Sequence, residues 1–106
     1  MANETFGSVI VAARKTKGFS QKELAERIRL DGKPISPQYL NDIEHDRRSP
    51  SSTQLVAQFA KVLGLDADYL SFLANTWPDS LRRHIKSQTD FSQFVAAFRR
   101  HSVGGR

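Results

Sequence analysis

Residues 20–28 read SQKELAERI and residues 36–44 read SPQYLNDIE, and these two stretches decide how the chain is organised. Ser20, with a glutamate three positions later, forms a capping box, in which the two side chains satisfy free amides at a helix start. Ser36 stands directly before Pro37, the arrangement typical of an N-cap and the first helical position. Apolar residues follow in each stretch at helical spacing. The two stretches therefore predict two short helices.

The segment between these helices, residues 29–35, reads RLDGKPI. Asp31, Gly32 and Pro34 interrupt any helix, so the segment is predicted to be a loop. No part of the sequence alternates polar and apolar residues for long enough to predict a strand. We therefore expect an all-α fold.

Further helices are predicted on both sides of this pair, each with an apolar stripe at helical spacing and two of them ending at a glycine. The stripes are Phe6, Val9, Ile10 and Ala13 before Gly18; Leu55, Phe59, Val62 and Leu63 before Gly64; and Tyr69, Leu70 and Leu73 after a cap at Asp66. Ser51 and Gln54 form a capping box at the start of the middle one. Residues 1–75 are therefore expected to form a compact domain of five helices.

Residues 76–106 form a C-terminal extension in which one or two additional helices are expected. Leu81 and Ile85 predict the first, and a second, capped by Asp90 and Gln93, carries an apolar stripe. That stripe consists of Phe91, Phe94, Val95 and Phe98. It either packs on the core of its own chain, or forms a dimer interface or a docking surface for a different protein.

The whole chain has 106 residues, no cysteine and a formal net charge of +5. The absence of cysteine excludes a disulfide scaffold, a thiol nucleophile and a cysteine zinc site. A positive excess attracts polyanions, chiefly nucleic acid, although a merely soluble basic protein has the same composition. The basic residues are spread along the sequence, so any nucleic-acid site must arise from folding.

The sequence contains no motif that indicates catalysis. His45, His84 and His101 show no metal-ligand spacing, and there is no HExxH, P-loop or glycine-rich dinucleotide motif. We expect no enzymatic activity, no metal and no cofactor. The N-terminus lacks a basic region before an apolar one, and no apolar run is long enough to span a membrane. We therefore expect a soluble, cytoplasmic protein that does not interact with membranes.

An ordered set of residues carries a resemblance to a known family. The set is Arg14, Gly18, Ser20-Gln21, Leu24-Ala25, Ser36, Tyr39-Leu40, Ile43-Glu44, Arg47-Arg48 and Pro50-Ser51. It resembles the phage-repressor-like (Cro/XRE) helix-turn-helix DNA-binding family over about residues 5–73. The resemblance implies a repressor-type fold whose second paired helix, the recognition helix, enters the major groove. The chain departs from the family in a longer turn between the paired helices, and in Asp46, where the family often has a left-handed glycine.

The resemblance assigns DNA contacts by position. Bases are expected to be read from the first turns of the recognition helix, by Pro37, Gln38, Asn41 and Asp42. Glutamine and asparagine can form bidentate bonds to adenine, and aspartate can accept a hydrogen bond from cytosine. Phosphates are expected to meet Gln21, Arg29, Lys33, Ser36, Tyr39, Arg47 and Arg48.

Some of these residues have a second interpretation. Because phosphates repel a carboxylate, Asp42 could instead pair with Arg47 or with a loop lysine. Arg29 and Lys33 could serve only to keep the longer loop soluble. Arg14 and Glu44 match family positions that form an ion pair between the first helix and the recognition helix, which is an architectural role.

Taken together, these features predict a sequence-specific, double-stranded DNA-binding transcriptional regulator. We expect a homodimeric repressor at a palindromic operator, which is nucleoid-associated when it is bound to DNA. The dimer would form through the phenylalanine stripe of the extension, helped by Tyr69, Phe72 or Trp77. The alternative is a protein-interaction module with the same fold, such as an antitoxin or an adaptor.

Overall fold

The computed structural model describes residues 4–75 and 85–104, with the side chains of the second range described as far as residue 96. Its helices are α1 (Phe6–Lys17), α2 (Gln21–Arg27), α3 (Pro37–Glu44), α4 (Thr53–Leu63), α5 (Ala67–Ala74) and α6 (Gln88–Gly104). Two short strands, β1 (Arg29–Leu30) and β2 (Lys33–Pro34), lie between α2 and α3. The predicted, mostly helical fold is confirmed. None of the described helices has the length and apolarity needed to cross a membrane.

The chain divides into two compact units, Thr5–Asn75 and a second one formed by Met1–Glu4 and Thr76–Arg106. The apolar faces of α1 to α5 build the core of the Thr5–Asn75 unit. The residues with no exposed surface are Ile10, Leu24, Ile28, Leu40, Ile43, Leu55, Phe59 and Leu70. Burying each such side chain stabilises the fold by about 1.5–3 kcal/mol. The Phe6 ring meets the Phe59 ring edge-on, with the ring centroids 5.8 Å apart, which joins α1 to α4.

α1 begins at a capping box that the sequence analysis missed. The Ser8 N–H donates to Thr5 Oγ1 at 3.0 Å, and the Thr5 N–H donates to Ser8 Oγ at 2.9 Å. The helix ends at Gly18, whose φ of 78° lies in the left-handed region. The predicted glycine stop is therefore confirmed.

The segment between α2 and α3 is an antiparallel hairpin rather than a plain loop. Arg29 pairs with Pro34, and Leu30 pairs with Lys33. Asp31 and Gly32 have φ values of 54° and 78°, which is the two-residue turn chemistry of a type I′ hairpin. The prediction of a loop was wrong because strands of two residues are too short to show an alternating pattern.

α4 begins at a different serine from the predicted one. Ser52, rather than Ser51, is the N-cap, and its Oγ accepts the N–H of Leu55 at 3.2 Å. The end of α4 at Gly64 and the cap of α5 at Asp66 are as predicted.

In the second unit, α6 begins at Gln88, before the predicted caps at Asp90 and Gln93. The reason is that Ser87 Oγ accepts the N–H of Asp90 at 3.2 Å, so the serine caps the helix. Within the predicted stripe, Phe91 is buried, Phe94 is 45% exposed and Val95 is half-buried. The helix predicted around Leu81, the residue Trp77 and the side chain of Phe98 lie outside the described residues.

Candidate nucleic-acid interface

α3 turns one face to the core and leaves the other uncovered. Leu40, Ile43 and Glu44 are buried on the inner face, at the spacing of one helical stripe. Its start is fixed by Ser36, whose Oγ accepts the N–H of Tyr39 at 3.0 Å. The predicted base-reading residues lie on or beside the outer face. Pro37 and Gln38 are exposed, and Asn41 and Asp42 are half-buried.

The ion pair between α1 and α3 is present. Arg14 Nε lies 2.6 Å from Glu44 Oε2, and Arg14 Nη2 lies 3.3 Å from Glu44 Oε1. The two side chains are only 13% and 1% exposed, so this is a buried pair. Arg14 Nη1 also donates to the carbonyl oxygen of Phe19 at 2.9 Å, which ties the α1–α2 turn to the same arginine. Through these bonds, one arginine fixes the backbone before α2 and the inner face of α3.

Gln21, at the start of α2, is bound inward. Its Nε2 donates to Glu44 Oε1 at 2.8 Å and to Asn41 Oδ1 at 3.1 Å. Both N–H groups of the amide are thereby used within the protein. A contact from this side chain to a DNA phosphate would require one of the two bonds to break, so the expected role of Gln21 stays a prediction.

The start of α2 also carries the predicted capping box. The Glu23 N–H donates to Ser20 Oγ at 3.0 Å, and the Ser20 N–H donates to Glu23 Oε1 at 2.9 Å. Hydrogen bonds with Ser20 lower the pKa of Glu23 below its ordinary value of 4.5. The bond to the Ser20 backbone has the larger effect, and the bond to the Ser20 side chain has the smaller one. A phosphate at this helix start would have to bind the backbone amides of the first turn that the capping box does not use.

Asp42 is the centre of a polar cluster at the end of α3. Its Oδ1 accepts from Arg47 Nε at 3.1 Å and from Gln38 Nε2 at 3.2 Å. Its Oδ2 lies 3.8 Å from Arg48 Nε. The structure therefore has the pairing with Arg47 that the sequence left open for this carboxylate. This pairing offsets the repulsion that the carboxylate would exert on a nearby phosphate.

The two arginines of this cluster remain accessible despite their contacts with Asp42. The side chains of Arg47 and Arg48 are 54% and 64% exposed. The Arg48 guanidinium also lies 6.0 Å from the centroid of the Tyr39 ring, at the edge of the range for a cation–π contact. Both cations are thus available to a polyanion beside the outer face of α3.

Asp46 takes the left-handed conformation that its position in the family suggests, with a φ of 59°. The role of its side chain was not predicted from the sequence. Asp46 Oδ1 accepts the N–H of Gly7 at 2.9 Å, and Oδ2 accepts the hydroxyl of Thr5 at 2.6 Å. A carboxylate at the start of α1 also interacts favourably with the helix dipole. An aspartate in place of a glycine was the signal that a side chain is needed here.

The hairpin presents two of the four basic residues that are expected to meet phosphates. Arg29 and Lys33 are exposed, and Arg29 Nη1 donates to the carbonyl oxygen of Gly32 at 3.3 Å. Gln58 of α4 holds the hairpin by its backbone: the Arg29 N–H donates to Gln58 Oε1, and Gln58 Nε2 donates to the Arg29 carbonyl oxygen, both at 2.6 Å. No local sequence signal marks Gln58, because its partner lies 29 positions earlier in the chain.

An open groove connects the hairpin, α3 and the loop after it. Its volume is about 440 Å³, and it is lined by Leu30, Ser36, Gln38, Tyr39, Asp42, Arg48 and Ser51. Five of these seven residues are among those for which the sequence predicts a DNA contact. The groove therefore belongs to the candidate interface rather than to a separate site.

Comparisons with known proteins point to one family. Residues 10–70 match the profile of a helix-turn-helix family, which covers more than half of the chain. The HTH-type transcriptional regulator RamB of Mycobacterium tuberculosis is 37% identical over 71 residues, which make up 67% of this chain. The matched part corresponds to 14% of the length of RamB.

Two solved structures are similar as well. The structure of SinR, the master regulator for biofilm formation, in complex with DNA has 30% sequence identity and a TM-score of 0.53. That similarity covers 63% of this chain and 98% of the SinR chain. A complex of the SinR and SinI proteins has a TM-score of 0.55 at 22% identity, covering 93% of this chain and 99% of that chain, and this is a likeness of fold alone.

Proposed function

The chain belongs to the Cro/C1-type (XRE) helix-turn-helix family of transcriptional regulators, which are not enzymes, and we propose that it regulates transcription by sequence-specific binding to double-stranded DNA. The observation that carries this proposal is the division of α3 into two faces. The inner face is fixed by the buried pair of Glu44 with Arg14. The outer face leaves amide side chains and a paired carboxylate beside exposed arginines. Such a surface combines base-reading groups with cations for the phosphate backbone.

In this mode of binding, α3 enters the major groove and the flanking residues position it. Gln38, Asn41 and Asp42, with Pro37, face the base edges. The residues proposed to meet phosphates are Gln21, Arg29, Lys33, Ser36, Tyr39, Arg47 and Arg48. Phosphate contacts carry no sequence information, so specificity is assigned to the outer face of α3.

We propose further that the protein is a homodimeric repressor at a palindromic operator. A two-fold symmetric dimer presents two recognition helices about one DNA turn apart. The stripe on α6, whose Phe94 is 45% exposed, is the proposed dimer contact. A repressor of this kind is cytoplasmic, is nucleoid-associated when bound, and acts by excluding polymerase from a promoter.

The exposed Phe94 also favours a second candidate function. A large apolar side chain on an exposed helix face is suited to another protein as well as to a second copy. The chain would then be an interaction module, such as an antitoxin or an adaptor, that uses the same fold without reading DNA.

Selection from a random-duplex pool, followed by fluorescence anisotropy at several salt concentrations, tests the proposal. The expected winner is a palindrome that binds roughly a thousandfold or more tightly than bulk DNA. Replacing both Gln38 and Asn41 by alanine should remove most of that preference. The control is Gln93→Ala, which removes an exposed amide on the side of α6 opposite the stripe. Weak binding that does not depend on sequence would contradict the proposal and favour the interaction module.

A further inference from the structure

Asp42 places a negative charge beside the cations of the candidate interface. It lines the groove next to α3, and its side chain is 20% exposed. The exposed arginines after α3 attract the phosphate backbone of DNA, whereas a carboxylate close to them repels it. Over distances up to about 8 Å, the Debye length at physiological ionic strength, salt screens this repulsion only in part. Asp42 therefore lowers the attraction of this surface for any duplex.

The contacts of Asp42 leave both arginines able to bind phosphate. The hydrogen bond from Arg47 to the carboxylate uses Nε, at 3.1 Å, and leaves the Nη groups of that guanidinium for a phosphate. Arg48 Nε lies 3.8 Å from Asp42 Oδ2, which is beyond hydrogen-bond distance. The arginines can therefore keep their proposed phosphate contacts while the carboxylate stays beside them. The repulsion acts on every sequence alike, because phosphates carry no sequence information.

A donor on a base can offset this repulsion at particular sequences. Asp42 Oδ1 already accepts hydrogen bonds from Arg47 and from Gln38, which occupy the lone pairs of that oxygen. No described residue donates a hydrogen bond to Oδ2, so this oxygen can accept one from a base. In the major groove, cytosine presents its N4 amino group as a donor, and aspartate is suited to accept from it.

Resting on the proposed function, we infer that Asp42 raises selectivity by weakening the binding of wrong sequences. Its carboxylate repels the phosphates of every duplex, and the loss is offset only where a cytosine donates to Oδ2. This role differs from that of an ordinary base contact, which adds affinity for the right sequence. Here the ratio between operator and bulk DNA rises because bulk DNA is bound less tightly.

The test is Asp42→Asn, measured by fluorescence anisotropy on the selected operator and on a scrambled duplex. Asparagine has nearly the same shape, and its oxygen still accepts hydrogen bonds, so the substitution mainly removes the charge. Affinity for the scrambled duplex should rise about three- to tenfold, because the repulsion is lost. Affinity for the operator should stay the same or fall, because the charge-assisted bond to cytosine is lost as well. The ratio of the two affinities should therefore fall by about threefold or more.

The salt dependence and a matched control identify the cause of the increase. Because salt screens exposed charges, the gain of Asp42→Asn on the scrambled duplex should shrink as the salt concentration is raised. Glu26→Gln removes the same charge at an exposed position of α2, outside the proposed DNA contacts. It should change affinity for the scrambled duplex by less than about twofold and leave the ratio unchanged. Thermal melting establishes that each variant is folded.

An unchanged affinity of folded Asp42→Asn for the scrambled duplex overturns the inference, even if binding to the operator falls, because Asp42 is then a base contact alone. An equal rise on both duplexes also overturns it, because the carboxylate then selects nothing. An equally large rise in Glu26→Gln does so too, because net charge alone then explains the gain. In these cases the wild type still prefers its operator, and the proposed function stands. If the wild type has no sequence preference at all, the proposed function fails as well.

Discussion

Glu44 is the residue on which α1, α2 and α3 depend together. It accepts hydrogen bonds from Arg14 and from Gln21, and it is almost completely buried. Glu44→Gln removes the negative charge and leaves the Arg14 guanidinium buried without its counter-ion. We expect a loss of about 3 kcal/mol in the free energy of unfolding, measured by urea denaturation.

Asp42→Asn is the matched control for this change, because it breaks an ion pair whose arginine is 54% exposed. Its expected cost is below about 1 kcal/mol. Equal costs for the two substitutions would contradict the role given to the buried pair.

Gly7 is the second residue on which the packing of α1 and α3 depends. A Cβ atom at this position would lie 2.7 Å from the carbonyl oxygen of Ile43 and would also overlap the carbonyl oxygen of Glu44. Gly7→Ala should therefore destabilise the protein by about 2 kcal/mol in thermal melting, although alanine normally favours a helix. Ala12→Gly, at an exposed position of the same helix, should cost about 1 kcal/mol through helix propensity alone. A stabilising effect of Gly7→Ala would show that the two helices do not approach this closely.

At the scale of elements, the hairpin depends on Gln58 of α4. The two hydrogen bonds from its amide to the Arg29 backbone hold the strand that carries a proposed phosphate contact. Gln58→Ala should therefore reduce affinity for all duplexes alike and lower the slope of log affinity against log salt concentration by about one. The slope should thereby approach that of a double variant, Arg29→Ala with Lys33→Ala. Gln54→Ala, an exposed position of the same helix, is the control. An unchanged salt slope in Gln58→Ala would mean that the hairpin does not contact phosphate.

Most helix boundaries could be predicted because their signals are local. Gly18 and Gly64 end their helices, and Ser20 and Ser36 begin theirs, as the sequence indicates. The cap at Ser52 could not be chosen with certainty, because neighbouring serines offer the same hydroxyl. The hairpin was missed for a related reason, since its turn is recognisable but its strands are too short to carry a pattern.

The candidate site was predictable where it coincides with the family pattern. Arg14 and Glu44 were paired on that basis, and the pair is present. The contacts of Asp46 with Gly7 and of Gln58 with Arg29 join residues 39 and 29 positions apart. No local rule connects such residues, because their meeting depends on how the helices pack. For the same reason, the inward orientation of the Gln21 amide required a structure.

At the scale of the whole molecule, the proposed dimer depends on the stripe of α6. Phe94 is 45% exposed, so a charged residue there should not disturb the core of the single chain. Phe94→Glu should convert a dimer into a monomer in analytical ultracentrifugation, because burying the carboxylate in an apolar interface is strongly unfavourable. Affinity for a palindromic duplex should fall, whereas affinity for a half-site should not.

Gln93→Glu adds the same charge on the opposite side of the helix and should remain dimeric. A wild type that sediments as a monomer at every concentration, including with DNA, would contradict this assembly.

In the proposed complex, the outer face of α3 selects sequence, while the arginines after it hold the phosphate backbone. This division is tested by fluorescence anisotropy of Gln38→Ala and Arg47→Ala on a specific and a scrambled duplex, across several salt concentrations. Gln38→Ala should cost roughly 1–3 kcal/mol on the specific duplex alone. Arg47→Ala should weaken binding to both duplexes and lower the salt slope by about one, whereas Lys61→Ala, an exposed cation on α4, should change neither. Equal losses from both substitutions on both duplexes would contradict the claim.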